Sequence, residues 1–196
     1  MSLPSLPGIV MEVNVMKKMF FFVGAVLISV LIFQYLTPAA AQEKESLKTL
    51  NGIAFSEIRG YENWPVAAVS YRTDHHELRA IMANTLMINA YKEGIPGNGK
   101  PFPDGSVIVK IGWSERKSAA FPVALEPDVL QRVEFIMKDS KRFPETSGWG
   151  YARFVYDPKT DAFTPYGKDA QFGRECYQCH TLVKSKDFIF TGYPKR

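Results

Sequence analysis

Cysteine and histidine are scarce in this chain. Its 196 residues hold two cysteines and three histidines. Two thiols cannot build a disulfide framework, so an ordinary core must carry the fold. An excess of one charge is also lacking. The formal net charge is +4, too mild to argue for a nucleic-acid partner, and no basic run is interleaved with aromatics. There is no internal repeat and no low-complexity segment, which excludes solenoids and arrays.

Both cysteines fall in one stretch, "CYQCH", residues 176–180. A Cys-x-x-Cys pair reads as a redox dithiol, as half of a zinc site, or as a c-type haem attachment site. Zinc would need two further ligands at a recognisable spacing. His75 and His76 lie far upstream and adjacent to each other, a poor match. A thioredoxin-like dithiol opens a helix after an early strand, not at the chain's end. In haem attachment the thiols add across two vinyl groups, and the next histidine reaches the iron. The immediate His180 selects this reading. It implies one covalently held haem c, with Cys176 and Cys179 as attachment points and His180 as proximal ligand.

Haem c is assembled outside the cytoplasm, so the chain must be exported. "MKKMFFFVGAVLISVLIFQYLTPAAAQEKE" begins at Met16 with two lysines. An uncharged apolar core runs from Phe20 to Phe33, and Ala39-Ala40-Ala41 follows. This is signal-peptide layout, with cleavage expected before Gln42. Residues 1–41 are therefore an N-terminal extension plus signal peptide, with the start expected at Met16. Residues 42–196 are one domain in the periplasm. The rival reading is an uncleaved membrane anchor over Met19 to Leu36, short against the ~20 residues of a spanning helix. Lys17 and Lys18 stay cytoplasmic either way.

Nothing after His180 can supply a sixth iron ligand, because "TLVKSKDFIFTGYPKR" has no methionine and no histidine. The candidates are Met82, Met87, Met137, His75, His76, or none. Long amphipathic helices are missing too, which argues against a four-helix cytochrome. Instead "PVAAVSYR" (65–72), "HELRAIMA" (76–83), "SVIVKIGW" (106–113), "RVEFIMKD" (132–139) and "GYARFVYD" (150–157) read as strands. In 132–139, Val133, Phe135 and Met137 share one face, while Arg132, Glu134 and Lys138 share the other. "EGIPGNGKPFPDG" and "YDPKTDAF" read as turns. A helix is expected from an Asn84 cap to a stop at Gly94, and another around 168–183 carrying the haem motif. The expected class is α+β: a mostly antiparallel sheet with a few short helices.

The set "HELRAIMAN", "FPDGSVIVK", "KDSKRF" with Gly148-Trp149, "ECYQCH" and "DFIFTGY" occurs in this order. It resembles the cytochrome P460 family, whose relatives include the beta-type cytochromes c-prime. The resemblance covers about residues 55–193. It implies a homodimer on an antiparallel sheet, one haem c per subunit, and an iron site open on the side away from His180. In hydroxylamine-oxidising members a lysine at the end of this strand motif is bonded to a haem meso carbon, and Lys110 matches it. On sequence alone Lys110 is ambiguous: a lysine among apolar neighbours either coats an outer face or is paired and used. Arg79 matches an arginine of the distal region. His75 and His76 stand where relatives carry apolar or small residues. Gln171 falls where some members carry a carboxylate that relays protons, which glutamine cannot do. His75 or His76 would then be the relay candidates. Phe102 and Phe121 are aromatic candidates for the distal lining found in the c-prime relatives.

Three functions stay open at this stage. The first is oxidation of hydroxylamine or a related nitrogen species, with electrons passed to a soluble periplasmic acceptor. The second is capture of nitric oxide or another small gas by a five-coordinate haem. The third is simple electron transfer through a six-coordinate, low-spin haem.

Overall fold

Two-residue alternation builds the sheet at the centre of this fold. The computed structural model describes residues 44–196. The expected N-terminal extension, export signal and cleavage point lie outside the described residues. Six strands form: β1 (Val66–Arg72), β2 (Glu77–Ala83), β3 (Val107–Lys117), β4 (Leu125–Lys138), β5 (Trp149–Asp157) and β6 (Ala162–Pro165). They make one sheet in sequence order, every neighbouring pair antiparallel. Among the described residues the named α-helices are α1 (Thr85–Lys92) and α2 (Phe172–His180), with several short 3-10 turns. The fold is α+β, as the sequence leads one to expect.

The helix signals act as read. Asn84 Oδ1 accepts from Met87 N at 3.0 Å, capping α1. The same side chain accepts from Val107 N at 3.3 Å and donates to Gly105 O at 2.8 Å, so the cap also ties α1 to β3. Gly94, at φ +87°, takes the left-handed position that ends the helix. Two features differ from expectation. β3 and β4 run on as a long hairpin through residues 114–117 and 125–131, with register shifts near Trp113. β6 forms inside the stretch read as a turn, because Asp157 and Ala162 pair directly across it.

The sheet is a middle layer with both faces covered. On one face Val109, Val133, Phe135 and Phe154 pack against Ile53, Phe55, Ile58 and Tyr61. Phe55 meets Phe154 edge-on at 4.8 Å between ring centroids. Each phenylalanine fully buried this way contributes about 2 kcal/mol. The N-terminal segment is also held by charge. Arg142 donates to both Glu57 oxygens, at 2.5 and 3.0 Å, and to Gly52 O at 2.8 Å. On the other face Ile81, Ile108, Trp149 and Tyr151 pack with α1 and Ile189. The polar residues of β2 to β5 also lie on this second face. Arg79, Lys110, Glu134 and Arg153 among them line a cavity that the sheet forms with α2 and the C-terminal tail.

Candidate functional site

The helix α2 supplies one wall of that cavity. Cys176 and Cys179 are three apart and so lie on one helix face. Cys176 is half-buried and Cys179 exposed. Burial pushes the Cys176 thiol up to about 11. His180 is the last residue of α2. Its Nδ1–H donates to Phe188 O at 2.6 Å, which leaves the Nε2 lone pair as the coordinating atom. Its ring meets Tyr151 and Phe190 edge-on, each at 5.0 Å between centroids. Burial lowers the His180 pKa, against the carbonyl's opposite pull, and favours the neutral imidazole a metal would need.

The sheet supplies the opposite wall. Cross-strand register puts Ile81, Lys110, Glu134 and Arg153 in one row. Glu134 is ion-paired with both Lys110 and Arg153, and Arg132 Nε stands 3.5 Å from it. Burial lowers the Lys110 pKa and outweighs the pull of Glu134. For Glu134 burial acts upward, but Lys110 and Arg153 outweigh it and hold the carboxyl below its ordinary range. The next row on this face is Arg79, Gly112 and Arg132; Glu77, one row further and 3% exposed, pairs with Arg132 and lies 3.8 Å from Arg79 Nε. Gly112 makes room for it: a Cβ there would sit 3.0 Å from the Glu77 carboxyl. Burial lowers the Arg79 pKa, and its Nε has no hydrogen bond among the described residues. Four cations, Arg79, Lys110, Arg132 and Arg153, thus face two carboxylates.

Between the walls lies a cavity of about 630 Å³, within the ~300–1,000 Å³ of cofactor sites. Its residues fit a haem. Ile81, Ile108, Ile136 and Ile189 offer apolar surface for a macrocycle. The cationic excess suits two propionates. The hydroxyls of Ser70 and Tyr151 are buried without a partner among the described residues and belong to lining residues, so the site keeps unused polar groups. No group of three His, Cys, Asp or Glu side chains that could cage a metal occurs among the described residues.

The cavity brings together Cys176, Cys179, His180, Lys110 and Arg79. Lys110 does not coat an outer face; the second face of β3 is the cavity wall. The other candidates lie elsewhere. Gln171 lines a separate cleft with Asn51, Arg142 and Arg174, because it precedes α2 on the side turned from the thiols. His75 and His76 are exposed in the β1–β2 turn, where His76 Nδ1 stands 3.2 Å from both Tyr71 Oη and Glu115 Oε1. Met82 and Met87 are buried in the two cores, and Met137 packs against the first of them. Phe102 is buried between Tyr91 and Trp149, and Phe121 is exposed at the β3–β4 tip. Sequence reasoning missed Glu134, Arg153, Tyr151 and Glu77. The alternation in β4 set Glu134 opposite Phe135, but only the β3–β4 register puts it beside Lys110.

An antiparallel sheet with a helix-borne Cys-x-x-Cys-His set over a deep cavity fits one class: sheet-built haem proteins. The family model for cytochrome P460 matches residues 58–191, well over half of the chain. The chain belongs to the cytochrome P460 family, and so to the haem cytochromes. No curated protein matches it.

Proposed function

We propose that this protein is an exported mono-haem c-type cytochrome that oxidises hydroxylamine or a related small nitrogen species. Its electrons pass to a soluble periplasmic acceptor. Met16 to Ala41 serves as the export signal, and the mature chain works as a homodimer. The observation that carries the reading is the Lys110–Glu134 pair, which faces the same cavity as His180.

Cys176 and Cys179 would hold the haem through thioethers, and His180 Nε2 would ligate its iron. A haem bound here supplies an iron that exchanges electrons with a small ligand. What supports an open sixth position is the lining: among its described residues there is no methionine and no histidine besides His180. That weighs against the six-coordinate carrier. What supports turnover over mere gas capture is charge. Removing two electrons from hydroxylamine releases two protons, so a proton acceptor must stand within reach. Glu134 is the cavity carboxylate placed to be one.

Lys110 prepares it. Were Lys110 Nζ to bond a haem meso carbon, the ammonium would give up two N–H protons and the meso carbon its C–H proton: two electrons and three protons would leave, and a peroxide, taking both electrons and two of the protons, would become water. Nζ would then carry no ammonium charge, so the Glu134 carboxyl would lose its nearest cation and, with its pKa raised, become a better base. Arg79 stays as a hydrogen-bond donor with an unused Nε–H.

The test is hydroxylamine-dependent reduction of a dye acceptor by the purified holoprotein without oxygen. Glu134→Gln is expected to lower kcat at least about 10²-fold, as expected for loss of a general base. Unchanged turnover in that variant would remove Glu134 from the reading. No turnover in the wild type would remove the enzyme.

A further inference from the structure

Behind the His180 wall lies a second buried charge pair that does not line the cavity. Lys138 ends β4, and Asp187 lies in the tail; their side chains are 7% and 10% exposed. Asp187 accepts four hydrogen bonds: from Lys138 Nζ at 3.0 and 3.1 Å, from Trp149 Nε1 at 3.3 Å and from Phe102 N at 2.8 Å. Lys138 Nζ also donates to Ser147 O at 3.1 Å and stands 4.7 Å from the Trp149 ring centroid. One lysine and one carboxylate therefore gather β4, β5, the 139–148 loop, the segment before β3 and the tail.

The clamp closes on an unusual piece of backbone. Asp187 and Phe188 both have positive φ, 48° and 64°. Two successive non-glycine residues in the left-handed region are costly, and they persist only where surroundings over-determine them. The corner delivers one group to the site, Phe188 O, which accepts from His180 Nδ1 at 2.6 Å. A main-chain acceptor has no rotamer to adjust. It is aimed only by fixing the dihedral angles on either side, and the Asp187 carboxylate is anchored one residue away. The sequence blocks "KDSKRF" and "DFIFTGY" supply the two charges, far apart in the chain and without a place in the reaction proposed above.

We infer that the Lys138–Asp187 pair is a positioning device for His180. It locks the left-handed corner so that the Phe188 carbonyl holds the imidazole in the Nδ1–H form and in one ring plane. A held, hydrogen-bonded imidazole is a stronger and better-defined donor through Nε2. The pair thereby sets the strength of the iron–His180 bond and, through it, the reduction potential. This rests on the haem reading given above.

The experiment uses holoprotein variants Asp187→Asn, Lys138→Met and Trp149→Phe. The readouts are the iron–histidine stretching band in resonance Raman spectra of the reduced, ligand-free protein, and the reduction potential. Asp187→Asn and Lys138→Met are expected to move the band to lower frequency, broaden it and raise the potential. Trp149→Phe deletes one donor to Asp187 and keeps a ring, so it is expected to shift both readouts the same way by less. Where the first two variants do not accumulate with haem, Trp149→Phe decides alone. A band and a potential identical to wild type in every folded variant, with only thermal stability reduced, would overturn the inference. Failure of the haem reading looks different: the wild type itself would show no iron–histidine band.

Discussion

Burial of charge explains the site residue by residue. Lys110, Glu134, Arg153 and Arg132 are tolerable under α2 only as a network, since a lone buried charge costs several kcal/mol. Glu77 reaches back from two rows away on the same face and depends on a missing side chain. In Gly112→Ala the new Cβ would press on the Glu77 carboxyl, which is held by Arg132 and has little room to retreat. Unfolding by urea is expected to show a loss of about 1–3 kcal/mol, the usual cost of overpacking. A loss under about 0.5 kcal/mol, within the range of neutral surface changes, would mean that Glu77 swings away freely. His180 is set in the same physical way, between Tyr151, Phe190 and a carbonyl.

At the scale of elements, caps and ties decide how the sheet is closed. Asn84 joins three backbone groups. Asn84→Ala is expected to cost about 1–2 kcal/mol in thermal or urea unfolding, the upper range for an N-cap. A loss near zero would show that β3 holds α1 without it. The Glu57–Arg142 tie adds a pH dependence. Burial acts to raise the Glu57 pKa, but the Arg142 hydrogen bond and charge outweigh it, and the folded value lies below 4.5. A depressed carboxyl contributes stability above its unfolded pKa and loses it as pH falls through the folded value. Glu57→Gln should therefore cost about 1 kcal/mol near neutrality and progressively less below pH 4.5. Urea midpoints of both proteins across that range check this; a constant difference would contradict it. Much at this scale was legible in advance. Alternation marked β1 to β5, Asn84 and Gly94 marked the ends of α1, and the Cys-x-x-Cys-His run marked α2. What stayed hidden has a common cause. β6 rests on a pairing across a turn, the outer β3–β4 hairpin on partners rather than on apolar content, and the Lys110–Glu134 pair on register. None of these is local, and a one-dimensional pattern carries only local information. The polar face of β4 reads as solvent-facing for the same reason, since the tail that covers it comes fifty residues later in the chain.

At the largest scale the described residues form a sheet between two unlike layers. One layer is an apolar core under the N-terminal segment. The other combines a core under α1 with a charged cavity under α2. Among the described residues no helix is long and apolar enough to cross a membrane. The division explains how a lysine in the middle of β3 can be both half-buried and usable. Its neighbours Val109 and Ile111 belong to the apolar layer, and its own side chain enters the other. The account therefore turns on whether Lys110 reacts with the haem that the thiols would hold. The optical spectrum of the reduced, ligand-free protein, beside that of Lys110→Met, tests this most directly. The expected result is a Soret band far to the red of an ordinary haem c in the wild type, and an ordinary band in the variant. An ordinary Soret band in both would contradict the account and leave Lys110 as a half-buried partner of Glu134.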